Sequence, residues 1–130
     1  MAKVTVTYSK EKVVSPLSFW VHKAVDAAVW QAATTYDPPM PVPVLGRGYP
    51  QYQIEYRGHL LFFSSKEEIT HCIDVLSQKL LPATRELAHR AGYPDYQHLH
   101  WLAKWPGDLK SWGERQQIIK LLRRLLRQAA

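Results

Sequence analysis

Cys72 is the one cysteine among 130 residues, so no disulfide can form within the chain, and a disulfide-stapled secreted domain is excluded. Nor does any stretch approach the roughly 18 uncharged apolar residues of a membrane span. The opening Met1-Ala2-Lys3-Val4-Thr5-Val6-Thr7 has no long apolar run behind its lysine, unlike a secretory signal. Together these absences predict a cytoplasmic protein. Acidic residues are scarce at one end: residues 96–130 hold two, against seven Lys and Arg. Residues 1–50 hold three against five, and residues 51–95 hold six against five. The net charge of +6 therefore comes mostly from the C-terminal end, which is where an acidic partner would meet the chain. The alternative is a solubilising charge with no partner.

What is present suits a single domain over residues 1–130, with enough apolar and aromatic side chains, including five Trp and seven Tyr, to build a core. Lys3 to Tyr8 alternates Val and Thr with the period of a strand. Ser15-Pro16 reads as a helix start, with Ser15 as N-cap and Pro16 in the first turn. The Ala-, Val- and Trp-rich run that follows predicts a buried helix over residues 17–34. A proline-rich loop at 37–50 interrupts the pattern; five of the nine prolines lie there and favour extended backbone. Tyr52, Ile54 and Tyr56 alternate with polar residues, Arg57-Gly58 supplies a turn, and His59-Leu60-Leu61-Phe62-Phe63 completes a β-hairpin. Because its second strand is apolar on both faces, cover on both sides is expected.

Ser65-Lys66-Glu67-Glu68 is a capping box, and Ile69, Cys72, Ile73, Leu76 and Leu80 trace a helical stripe that Pro82 ends or kinks. Residues 84–91 form a further helix stopped at Gly92, Tyr93-Pro94-Asp95 a turn, and residues 96–105 a short helix. Ser111-Trp112-Gly113-Glu114 repeats the capping pattern before a last helix to about Gln128. The predicted fold is α+β: a small antiparallel sheet, the hairpin plus the N-terminal strand as candidate third partner, packed against four to five helices.

No catalytic or metal-binding constellation emerges. Cys72 lies on an apolar stripe, where a thiol behaves as a small hydrophobe. His98 and His100 are two apart, which diverges on a helix, so packing or capping fits better than ligation. Glu67, Glu68 and Asp74 are accounted for by the helix start and a solvated face. Gly46-Arg47-Gly48 lacks the Lys-Ser/Thr of a phosphate loop. No enzyme and no cofactor are expected; an active site would need a pocket gathering His59, His71, His89 or His98 with a carboxylate. Trp101, Trp105 and Trp112 read as core, with a surface platform for a base or partner as the functional alternative.

The last helix carries the functional expectation. Ile118, Ile119, Leu121, Leu122, Leu125 and Leu126 fill one side of its wheel, while Lys120, Arg123, Arg124 and Arg127 fall within about 100° on the other. Such a stripe suits the helix C-terminus, where the dipole favours cations, and equally suits phosphate contacts. Non-catalytic binding to nucleic acid or a nucleoprotein complex is the leading expectation, with Arg115 and Lys110 as additions. A protein-binding inhibitor or adaptor, using the proline-rich loop with Tyr36, Tyr49 and Tyr52, is the alternative.

Residues 63–69 (Phe-Ser-Ser-Lys-Glu-Glu-Ile), residues 71–77 (His-Cys-Ile-Asp-Val-Leu-Ser), His100-Trp101-Leu102 and Leu109-Lys110 resemble a group of uncharacterised small proteins of proteobacterial genomes and mobile elements. The resemblance spans about residues 60–127. It implies a bacterial, plasmid or phage context and brings no activity or site.

Overall fold

The structure, a computed structural model, describes residues 2–91 and 100–129. The chain runs β1 (Lys3–Ser9), α1 (Ser18–Val21), β2 (Lys23–Ala24), β3 (Tyr36–Asp37), β4 (Tyr49–Tyr56), β5 (His59–Phe63), α2 (Lys66–Leu76), α3 (Thr84–Arg90) and α4 (Trp112–Ala129). Short 3-10 turns lie at Trp30–Ala32, Trp101–Lys104 and Gly107–Leu109. This is a small α+β fold. The expected stop at Gly92, the turn at Tyr93-Pro94-Asp95 and the start of the expected 96–105 helix lie outside the described residues.

The N-terminal strand joins the hairpin in an antiparallel sheet of order β1-β4-β5. Val4 opposes Ile54, Val6 opposes Tyr52, and these in turn oppose Leu61 and Phe63. Period-two alternation puts all six on one face, which is packed into the main core. Helix α4 lies across β1 and β4 on that face, and α2 packs between α4 and β5. Leu60, expected to be covered, is exposed. It points away from the face that carries Leu61 and Phe63, and so away from these two helices. At the hairpin turn Arg57 and Gly58 have φ of 50° and 79°, the paired positive values whose twist suits a two-residue hairpin.

The predicted helix over 17–34 is a correction. Within it only residues 18–21 are α-helical, with one 3-10 turn at Trp30–Ala32; β2 and β3 pair antiparallel, Ala24 opposite Tyr36. Three hydrogen bonds explain the break. The Trp30 indole donates to the His22 carbonyl at 2.6 Å, and the Asp26 carboxylate accepts from the amides of Thr34 and Thr35. Each diverts a group that a continuous helix would use, and the β-branched Val21, Val25 and Val29 weaken the helical competitor. Trp30, Ala33, Tyr36 and Met40 then form a second small core. The proline-rich loop leaves from its edge. Near the loop's end Gly48 (φ 103°) passes so close to β1 that a Cβ would sit 2.2 Å from the Ser9 carbonyl oxygen.

Helix α2 also departs from expectation at both ends. It stops at Leu76, leaving Leu80 exposed. At its start Ser65 Oγ accepts from the Glu68 amide at 3.2 Å, half of a capping box. The Glu68 side chain, expected at a solvated helix start, is instead 0% exposed and points into the protein. Its carboxylate accepts from the hydroxyls of Ser15, Ser18 and Ser64 and from the Ser64 amide. His22 Nε2 lies 3.2 Å from Glu68 Oε2 and 2.7 Å from Ser65 Oγ. His22 Nδ1 donates to the Pro38 carbonyl at 2.7 Å.

Burial alone would raise the Glu68 pKa. The bonds from His22, Ser15 and Ser64 overturn that and hold it below the ordinary value of 4.5. Burial likewise opposes charge on His22, but Glu68 and the Pro38 carbonyl raise its pKa above 6.5. The pair is therefore ionised together. Its carboxylate contribution is full above pH 4.5 and lost as pH falls through the lowered Glu68 value; its imidazolium contribution is full below pH 6.5 and lost as pH rises through the raised His22 value. We predict that Glu68→Gln destabilises the protein by about 3–5 kcal/mol, the cost of removing one partner from a buried pair. Urea denaturation of both proteins should show the gap widest between pH 4.5 and 6.5. A gap that is small and independent of pH would contradict this assignment.

Candidate nucleic-acid interface

Helix α4 begins where Ser111 Oγ accepts from the Glu114 amide at 3.3 Å, as its sequence predicts. Its 18 residues keep the two-sided pattern. Ile118, Ile119, Leu121, Leu122 and Leu125 are buried against the sheet and α2, and Leu126 is partly buried. Lys120, Arg123, Arg124 and Arg127 are all exposed. No ion pair among the described residues engages any of the four. Glu114, the one acidic side chain of α4, is turned away and bound by Arg57 Nε at 2.7 Å, with the Tyr56 hydroxyl 3.3 Å away. Among the described residues, the outer face of α4 thus offers four cations that enter no ion pair.

Arg115 does not join them. It is 4% exposed and serves the fold. Its guanidinium donates to the carbonyls of Leu76 at 3.0 Å, Gln78 at 2.5 Å, Lys79 at 3.1 Å and Lys110 at 2.9 Å. Three of these acceptors lie at or just beyond the C-terminal end of α2, where orphan carbonyls need donors. Arg115 is therefore a clamp between helices, and its place in the expected binding set is corrected. The wheel carries the signal for this: Arg115 falls on the apolar side, flanked by Leu122 and Leu126. Lys110 is partly buried, and its own carbonyl is one of the four that Arg115 holds.

The tryptophans divide. Trp101 and Trp105 are core, their rings 5.6 Å apart. Trp112 is exposed, with the Arg115 guanidinium over its ring at 5.0 Å. His100 accepts from the Leu102 amide through Nδ1 at 3.1 Å, a capping role. Burial pushes its pKa down to about 4, so it is neutral at pH 7. His71 Nε2 accepts from the Trp101 indole, and burial lowers its pKa as well. His59 pairs with Asp108 at 3.0 Å on the surface, and His89 is exposed on α3. His98 lies outside the described residues. Cys72 is fully buried and its thiol pKa is raised. Among the described residues no three His, Cys, Asp or Glu side chains stand close enough to share a metal ion.

The alternative surface also changes. Tyr36 and Tyr52 are buried and present no contact face, while Tyr49 is partly exposed. Val42 and Leu45 on the proline-rich loop are exposed. No helix of the described residues is long and apolar enough to cross a membrane. No family model, curated protein or solved structure matches this chain.

Because Arg115 holds four carbonyls, its removal should act on stability. Arg115→Ala is expected to cost about 3 kcal/mol, the scale of one or two hydrogen bonds to a charged group. Thermal denaturation measures this. Full stability after the substitution would contradict the clamp.

Proposed function

We propose that this protein is a non-catalytic accessory that binds nucleic acid, or a nucleoprotein complex, through the outer face of α4. The observation that carries this reading is the exposed set Lys120, Arg123, Arg124 and Arg127, none of which enters an ion pair among the described residues. Lys120 to Arg127 spans about 10 Å of helix axis, enough to meet several phosphates in succession, since a duplex strand carries one about every 3.4 Å. Contacts of this kind position a protein on the backbone and read no sequence. The buried leucine face fixes the backbone of α4, so the ordering cost of binding falls on the Lys and Arg side chains and not on the helix.

A second reading, a protein-binding inhibitor or adaptor, is favoured by the exposed Val42 and Leu45 on the proline-rich loop. An apolar interface of that type would persist at salt concentrations that strip a protein from phosphates.

The test is charge reversal. Lys120→Glu combined with Arg124→Glu should abolish retention on heparin and on immobilised duplex DNA, while circular dichroism shows the fold intact. Unchanged retention would reject the reading.

A further inference from the structure

We propose that Trp112 extends the basic face of α4 into a site for single-stranded nucleic acid, its indole stacking on an unpaired base while Lys120, Arg123, Arg124 and Arg127 hold the phosphates. This rests on the preceding reading and specifies its ligand. Of the five tryptophans, Trp20, Trp30, Trp101 and Trp105 are 2–8% exposed, whereas Trp112 is 43% exposed. A large aromatic left open at the start of an otherwise well-packed helix departs from the usual burial of such side chains.

Its position on the helix is not arbitrary. At 100° per residue Trp112 falls about 20° from Arg123, 60° from Arg127, 80° from Lys120 and 120° from Arg124, so the ring lies at one edge of the cationic face, beside Arg123 and Arg127. Between them on that face stands Gln116, and α4 holds no acidic side chain beyond Glu114. Trp112 lies about 12 Å before Lys120 and about 22 Å before Arg127 along the axis. At 3.4 Å per stacked nucleotide this is a track of about six nucleotides, with a stacking ring at one end.

The ring is also held for the task. The Arg115 guanidinium lies over it at 5.0 Å, and Arg115 is itself fixed by four carbonyls. A fixed cation on one face restrains the indole, so a base can stack on the exposed part without ordering a mobile side chain. Bases present their faces only where they are unpaired or terminal, so this contact distinguishes a single strand from the interior of a duplex. Neither contact reads the sugar, and a DNA oligonucleotide serves as the probe.

The experiment measures fluorescence anisotropy of the full chain with a labelled 12-nucleotide oligodeoxyadenylate and with a long blunt duplex, whose terminal bases are a small fraction of its binding sites. Trp112→Ala should weaken the single strand about tenfold or more, the scale of one base–aromatic stack, and leave the duplex within twofold. Trp112→Phe, which keeps a smaller ring, should fall between wild type and Trp112→Ala; melting curves confirm that both fold. Acrylamide quenching gives an independent readout, because the accessible emission comes from Trp112 and should be protected when the oligonucleotide binds. Equal losses on both ligands, or none on the single strand, would overturn the stacking site while leaving the basic face standing. Failure of the wild-type protein to bind either ligand would overturn both.

Discussion

One buried carboxylate organises the N-terminal half of this protein. Taking the Glu68 charge out of water costs several kcal/mol unless donors replace the lost hydration. Here they come from Ser15, Ser18, Ser64 and His22. The donors lie in two stretches separated by more than forty residues, so satisfying the charge fixes how those stretches meet. His22 reaches further and takes the Pro38 carbonyl, which anchors the start of the proline-rich loop. The non-helical course of residues 22–37 is held in place nearby, where the Trp30 indole folds back to donate to the His22 carbonyl.

The same helix that carries Glu68 sets the opposite side of the molecule. At the other end of α2, carbonyls left without helical donors are taken by Arg115 from α4. This clamp, with the leucine face against the sheet, fixes the rotation of α4 about its axis. Lys120, Arg123, Arg124 and Arg127 face solvent as a consequence of that rotation. Arginine thus has two uses along one helix: Arg115 caps another helix from within, and the later arginines form an open cationic face. The proposed function and the proposed stacking ring both depend on this division.

The sequence made some of this legible and concealed the rest for physical reasons. Where a pattern is local it read correctly: the Val/Thr alternation of β1, the hairpin turning at Arg57-Gly58, Ser65 and Ser111 as caps, and the two faces of α4. Residues 17–34 misled because Ala-rich apolar composition favours a helix, whereas the competing bonds from Trp30 and Asp26 are set by the tertiary fold. Glu68 misled for the same reason: a glutamate at the third residue of a helix looks like a reciprocal cap, and only the approach of Ser15, Ser18 and His22 turns it inward. The candidate site was legible in Lys120, Arg123, Arg124 and Arg127. Arg115 carries the same charge as these four, and only its place on the apolar side of the wheel marks it as internal. Trp112 was grouped with Trp101 and Trp105, and burial separates it from them.

The central claim, an open cationic face meeting phosphates, has a thermodynamic signature. Four cations that each neutralise one duplex phosphate release their counterions, giving a slope near −3.6 in the logarithm of the association constant against the logarithm of salt concentration. The most direct measurement is therefore the affinity for duplex DNA across a series of potassium chloride concentrations. The account predicts a slope close to that value, reduced by about 0.9 for each of the four residues replaced by a neutral one. A slope near zero, or one that none of the four replacements alters, would contradict it.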